Sequence, residues 1–302
     1  MGYGYLAFAI LAALFWSVGN VLDKAVLTDH ISNPVVVTFF TGAFGALFAL
    51  VLVPLGYVHI PTVFVLVTAL LLGILYIVPI YFYMKGMTLE EVSRVIPIMN
   101  ISPVFVVILG AIFLNEVFTL QKYLGIFLAI TGSVMVASER FGKEFFNLEA
   151  NKAYWLVFTG TFMFAVYAVS IRWILNFSDF WNIFFWSRIG GLIPVGFFLL
   201  HQSTREQIKS VMRSMRESRL EYMAISELMN DLGVLSQTVA LGLGAAALVQ
   251  TATSIQPLFV LVFVGVLSHL WNRDLGEDLS NKAIAVKTIS GIMILIGIYL
   301  IN

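Results

Sequence analysis

Residues Val92 to Ala137 read VSRVIPIMNISPVFVVILGAIFLNEVFTLQKYLGIFLAITGSVMVA. Two apolar spans, roughly 94–114 and 122–137, are joined here by a short polar turn at Asn115-Glu116. Each approaches the length, about 20 residues, that a helix needs to cross a hydrocarbon core. Pro97, Asn100, Ser102 and Pro103 interrupt the first span. A helix that only anchors gains nothing from them, because each proline removes an N–H and frees a carbonyl that something in the protein must satisfy.

The pattern returns half a chain later. Setting Pro103 over Pro257 aligns IPIMNISPVFVVILGAI with QTATSIQPLFVLVFVGV, so that Phe105 meets Phe259 and Asn100 falls opposite Ser254. Further on, Thr131–Ala137 (TGSVMVA) meets Ser290–Ile296 (SGIMILI), and before it Phe15–Lys24 faces Met163–Arg172. Each short apolar match is weak alone, but their common order along the chain indicates two homologous halves, 1–150 and 151–302.

Composition sets the class. Hydrophobic residues make up 60% of the 302 and charged residues only 11%. No water-soluble domain of this length needs so much apolar side chain, so the expected class is an all-α, polytopic membrane protein. The absence of cysteine excludes disulfides and thiol chemistry. The apolar run at the N-terminus continues to Leu22 without a basic leader, which suits a first spanning helix better than a cleaved signal.

Ten spans are expected, at about 3–22, 34–55, 62–84, 94–114, 121–137, 153–173, 180–200, 222–241, 246–268 and 284–301. With five spans in each half, the halves enter the membrane from opposite sides, an inverted-topology repeat with a binding site near the midplane. Of the 17 Lys and Arg residues, Lys122 and Arg172 lie in even-numbered connections and Arg188 lies within a span. All the others occupy odd-numbered connections or their span ends, which places those connections in the cytoplasm and both termini outside. Between spans seven and eight, Ile208, Met212 and Met215 form one helical stripe flanked by Arg205, Lys209, Arg213, Arg216 and Arg219. That stripe suits either a helix on an anionic leaflet or a solvated connector.

Enzymatic constellations are missing: there is no His-Glu-x-x-His, Gly-x-Ser-x-Gly or Gly-x-x-x-x-Gly-Lys run, and no clustered metal ligands. Neither a catalytic activity nor a cofactor or metal is therefore expected. Polar residues inside the spans remain as candidates, with Gln250, Thr251, Thr253, Ser254 and Gln256 crowded into span nine opposite Asn100 and Ser102. Small residues, Gly125, Ala129 and Gly132 in span five with Gly291 and Gly297 in span ten, offer faces for close helix packing. Span eight carries Glu227, Asn230 and Asp231. Glu227 and Asp231 are four apart and share a helix face. An ionised carboxylate at the bilayer centre costs roughly 2.5–3.5 kcal/mol on insertion scales, so Asp231 must face protein or water. Arg188, near the middle of span seven, is its expected partner. The three residues suit either a structural ion pair or a proton-coupling site.

The run Glu91, Ser93, Val95, Pro97, Ser102, Pro103, then Asn115-Glu116, Leu120, Gln121, Gly125 and Thr131-Gly132, resembles the EamA family of the drug/metabolite transporter superfamily. So does Trp16-Ser17 with Asn20 and Lys24. The resemblance implies a ten-helix exporter of small metabolites such as amino acids, nucleobases or drugs, in the plasma or inner membrane. It also implies that Asn20, Tyr76, Tyr81, Asn100, Gln250 and Ser254 line a central cavity. The second half departs from the pattern, with Asn272-Arg273-Asp274 where the first has Glu116, and the charge distribution is the reverse of the family's usual orientation. The expected partners are a small-molecule substrate, the lipid bilayer and protons, with no nucleic acid, for a monomer or homodimer. An uncoupled facilitator, or a membrane-embedded enzyme or scaffold for lipid-linked substrates, stands as the alternative.

Overall fold

The computed structural model describes residues 4–27, 33–89, 98–137, 152–214, 217–271 and 281–302, and every regular element among them is an α-helix. The helices are α1 (Gly4–Leu27), α2 (Pro34–Leu50), α3 (Val63–Met87), α4 (Ser102–Phe113) and α5 (Leu120–Ala137) before the 138–151 stretch. After it come α6 (Lys152–Ile174), α7 (Phe180–Gly190), α8 (Leu192–Leu200), α9 (Gln202–Ser214), α10 (Glu217–Leu243), α11 (Ala246–Thr253), α12 (Gln256–Trp271) and α13 (Asn281–Ile301). Five segments are long and apolar enough to cross a membrane: Gly4–Leu22, Val63–Gly86, Lys152–Ile174, Phe180–Leu200 and Ala246–Val264. Four shorter apolar helices accompany them, Pro34–Leu50, Ser102–Phe113, Leu120–Val136 and Ala285–Ile301. Large apolar side chains such as Leu71, Phe127, Trp155 and Phe197 stand more than half exposed, as a surface facing hydrocarbon requires.

Backbones approach each other where side chains are smallest. A Cβ added to Gly125 of α5 would lie 2.7 Å from the Gly297 carbonyl of α13, and one on Gly297 would lie 2.6 Å from the Gly125 carbonyl. With no hydrophobic force between helices in lipid, such contacts carry the packing. Gly132 stands equally close to the Ser290 carbonyl. Gly291, expected on this face, instead meets Leu258 of α12 at an ordinary 3.4 Å. The helical repeat turns it one residue away from α5, and Ser290 holds the position.

Two further expectations change. Ile208 of α9 is buried against Val36, Val37 and Phe40 of α2, while Met212 is 54% exposed. The stripe therefore docks α9 on the bundle by one residue rather than laying a continuous apolar face on a leaflet; Met215 lies outside the described residues. Pro103 and Pro257 stand just after the interruptions of their spans, at 100–101 and 254–255, and not in the middle of a helix. Each is the second residue of a helix, α4 or α12, where a backbone N–H has no intrahelical acceptor and its loss costs little. The turn before each is closed alike, Val104 N–H donating to the Ile101 carbonyl and Leu258 N–H to the Ile255 carbonyl, both at 2.9 Å. Pro97 lies outside the described residues.

The polar turn of the opening stretch has a role that its sequence does not announce. Asn115 takes a left-handed backbone, φ 53°, and this swings Glu116 back over Gly110, whose lack of a side chain leaves room for the carboxylate. Oε1 of Glu116 accepts from the Ala246 N–H at 2.7 Å and Oε2 from the Ala247 N–H at 3.1 Å. These are first-turn donors of α11, and the carboxylate also meets the positive end of that helix. Helix caps contribute about 1 kcal/mol, and charged ones up to about 2. Replacing Glu116 with Ala is expected to lower unfolding free energy by about 1–2 kcal/mol in a detergent denaturation titration, with Gln recovering part of it; equal stability of Ala and parent would remove the cap from the account.

Candidate functional site

Buried charge gathers at one place. Arg188 of α7 is 4% exposed, and its Nη1 lies 3.2 Å from Oδ1 of Asp231 on α10. The guanidinium lies over the Tyr76 ring of α3, 4.1 Å from its centroid, with the Phe184 ring at 5.2 Å. Desolvated contacts of this kind add about 2 kcal/mol. One turn before Asp231, Glu227 accepts a hydrogen bond from the Thr41 hydroxyl of α2 at 2.8 Å. One turn after Thr41, Gly45 faces the ion pair, and a Cβ there would lie 3.2 Å from both Arg188 Cδ and Asp231 Oδ1. Thus Thr41 and Gly45 on α2 face Glu227 and Asp231 on α10 in a matching four-residue step. Tyr167 of α6 completes the cluster, its ring 5.4 Å from that of Tyr76.

Several hydrogen-bonding atoms of this cluster have no protein partner among the described residues: Arg188 Nε and Nη2, Asp231 Oδ2 and the Tyr167 hydroxyl. Each such buried group costs about 1–3 kcal/mol, more when charged. The cluster spends stability, and function is the usual reason.

The residues expected to line a cavity are dispersed. Tyr76 alone touches the charged cluster. Tyr81 packs its ring against Phe198 at 5.8 Å, and Asn20 is exposed on α1. Asn100 Nδ2 reaches the Ser133 carbonyl only at 3.5 Å. Gln250 accepts from Gln237 Nε2 at 3.1 Å, tying α11 to α10. Ser254 donates to the Gln250 carbonyl at 3.4 Å, Thr253 to the same carbonyl at 2.8 Å, and Thr251 to the Ala247 carbonyl at 2.7 Å. Those hydroxyls are bonded within their own segment, the ordinary fate of Ser and Thr in a helix. Thr41 and Gly45 give no sign of a site in the sequence, since each reads as a packing residue until α10 is set beside it. The one available signal was their spacing: Thr41 and Gly45 repeat the four-residue interval of Glu227 and Asp231.

A second polar group fastens the 51–62 connection to the start of α7. Asp179 caps that helix through the N–H groups of Trp181 and Asn182, both at 3.0 Å, and buried Asn182 accepts from the His59 N–H at 3.0 Å. Trp186 Nε1 donates to the His59 carbonyl at 3.1 Å. These bonds hold a loop, and no group of three or more metal-ligating side chains occurs among the described residues.

Removing one member of a buried ion pair strands the other and costs about 3–5 kcal/mol, whereas removing both can be nearly neutral. Asp231→Asn and Arg188→Gln are each expected to destabilise by that amount, and the double variant by clearly less, in a thermal-unfolding double-mutant cycle. Additive losses would show that the pair carries no coupling.

Among curated proteins, none matches the chain in sequence. A solved crystal structure superposes with a TM-score of 0.71 over 99% of this chain and 96% of that one, at 14% identity. At that identity the likeness shows a shared fold and nothing about function. Residues 3–138 match the model of the EamA-like transporter family, part of the drug/metabolite transporter superfamily.

Proposed function

We propose that the protein is a secondary transporter that carries a small metabolite by alternating access between two inverted five-helix repeats, 1–150 and 151–302. The family match over residues 3–138 supports the coarse class, a transporter of the drug/metabolite type in a multi-pass membrane protein. The repeat is supported by how the helices pair. Helix α1 packs on α10 and α3 on α6, and exchanging the halves turns the first pair into the second. Helix α5 packs on α13, α2 on α7 and α8, and α4 on α11, each joining corresponding positions of the two halves. The identical turns before Pro103 and Pro257 add to this. Ten spans follow, with α7 and α8 as one span and α11 and α12 as another. Export across the plasma or inner membrane is the direction that the family resemblance favours.

One observation carries the assignment of the site: the Arg188–Asp231–Glu227 cluster is buried between α2 and α3 of the first half and α6, α7 and α10 of the second. Ionisable groups inside a membrane bundle mark substrate and ion pathways, and in secondary transporters these lie between the repeats.

Proton coupling at Glu227 is supported by a count of hydrogens. Oγ1 of Thr41 lies 3.1 Å from the Val37 carbonyl and 2.8 Å from Glu227 Oε1. A hydroxyl has one hydrogen, and an ionised Glu227 offers none. With a proton on Glu227, its O–H donates to Thr41 while Thr41 donates to Val37, and both contacts are satisfied. In proteoliposomes loaded with a compound that thermally stabilises the purified protein, Glu227→Gln is expected to preserve downhill exchange and abolish accumulation driven by a pH gradient. Undiminished pH-driven accumulation in that variant would leave Glu227 a structural residue and the carrier an uncoupled facilitator.

A further inference from the structure

The guanidinium of Arg188 is used on two of its surfaces only. Its face is covered by the Tyr76 ring and Nη1 is taken by Asp231. The remaining edge, Nε and Nη2, presents two parallel N–H bonds that meet no acceptor among the described residues, although the side chain is 4% exposed. That edge is the side-on fork of arginine, whose geometry matches two oxygens of one carboxylate. The ion pair and the ring fix the guanidinium in place, so little side-chain entropy remains to be lost when the fork is filled. Tyr167, 3% exposed and in ring contact with Tyr76, adds a third donor without an acceptor.

We propose that the Nε–Nη2 edge of Arg188, together with the Tyr167 hydroxyl, is the subsite that receives the carboxylate of the transported molecule. The proposal rests on the alternating-access transporter put forward above and names the substrate class of its site. Charge favours a monoanion. With Glu227 protonated as proposed above, Arg188 and Asp231 cancel, so a carboxylate leaves one net negative charge, while a phosphate dianion would leave two in a buried setting. Oδ2 of Asp231, without a donor, is placed to accept from a substrate ammonium, so the carboxylate has two sources: a plain carboxylic acid or a zwitterion. The subsite is closed to solvent on both sides here, and one half must move against the other to fill it.

The test is thermal stabilisation of the full chain in lipid nanodiscs by a six-carbon series: hexanoate, 2-aminohexanoate, hexanamide and hexylamine, with inorganic phosphate alongside. Stabilisation by one or both carboxylates, and by none of the other three probes, is expected. A response to 2-aminohexanoate alone identifies the zwitterion as the source, and a response to both admits plain acids. Arg188→Lys keeps the charge opposite Asp231 but removes the fork, and is expected to weaken carboxylate binding at least about tenfold. Tyr167→Phe removes only a hydroxyl and keeps the ring packed against Tyr76, so it tests the subsite independently of Arg188→Lys, and is expected to weaken the same binding several-fold. Binding of hexanamide, hexylamine or phosphate in preference to the carboxylates overturns the carboxylate assignment and leaves transport standing. So does carboxylate binding that both variants retain at full strength. If no probe binds, the assignment falls, and tracer flux of compounds without a carboxylate then decides separately whether the protein transports.

Discussion

The contact between Arg188 and Asp231 sets terms for the helices around it. A guanidinium and a carboxylate removed from water are each several kcal/mol worse off than in solution, and only close mutual contact recovers that loss. At 3.2 Å they recover much of it, provided α7 and α10 stay at fixed depth relative to each other. Neighbouring helices serve the same end. Helix α2 approaches at Gly45, where a Cβ would press on Arg188 and Asp231 at 3.2 Å, and α3 supplies the aromatic face of Tyr76. The pair lies within the second half, but the groups that complete its surroundings come from both. Any relative movement of the halves therefore changes the environment of these charges, which is what a transporter needs in order to couple binding to conformation.

The two faces of the bundle are fastened differently. On one, Glu116 of the first half caps α11 of the second, and the 51–62 connection is tied to Asn182 and Trp186 at the start of α7. On the other, Asn33 bonds Gln207 of α9, and Ile208 packs against α2. Each face thus carries polar contacts between halves, exposed or half-buried, and each contact is worth only about 1 kcal/mol net. Under the proposed alternating access, contacts this weak would break one side at a time without unfolding the packed pairs α1–α10, α3–α6 and α5–α13. The segment that matches the EamA-like family model contains Glu116, so the cap reaches from that segment to a helix outside it.

Much of this was legible in the sequence, and the reason lies in contrast. Charges inside apolar runs stand out, so Arg188, Glu227 and Asp231 were recognisable, and their four-residue spacing and mid-span depth predicted which would meet. The apolar runs were legible for the same reason: five of the expected spans correspond to segments long and apolar enough to cross a membrane, and four to shorter apolar helices. What misled was polarity that helices satisfy internally: Thr251, Thr253 and Ser254 crowd together in sequence but bond carbonyls within their own segment. What stayed hidden was chemistry supplied by residues of ordinary appearance. Thr41 and Gly45 look like packing positions until Glu227 and Asp231 face them. Glu116 looks like a loop residue because its acceptors are used by a helix 130 positions away. Pro103 and Pro257 were conspicuous, but their consequence depended on register: one turn deeper each would break a helix, whereas at the second helical residue each helps to start one.

The claim on which the rest depends is that the two faces open in turn about the Arg188 cluster. The chain has no cysteine, so paired spin labels can be placed without background. One pair at Val117 and Leu243 reports on the face held by Glu116, and one at Leu89 and Met212 on the opposite face; all four residues are exposed. Double electron–electron resonance in nanodiscs, with and without a stabilising ligand and across pH, measures both distances directly. Alternating access predicts two distances at each pair, with the population of the longer one rising at one face as it falls at the other. A single distance at both faces under every condition, or distances that lengthen together, would contradict it.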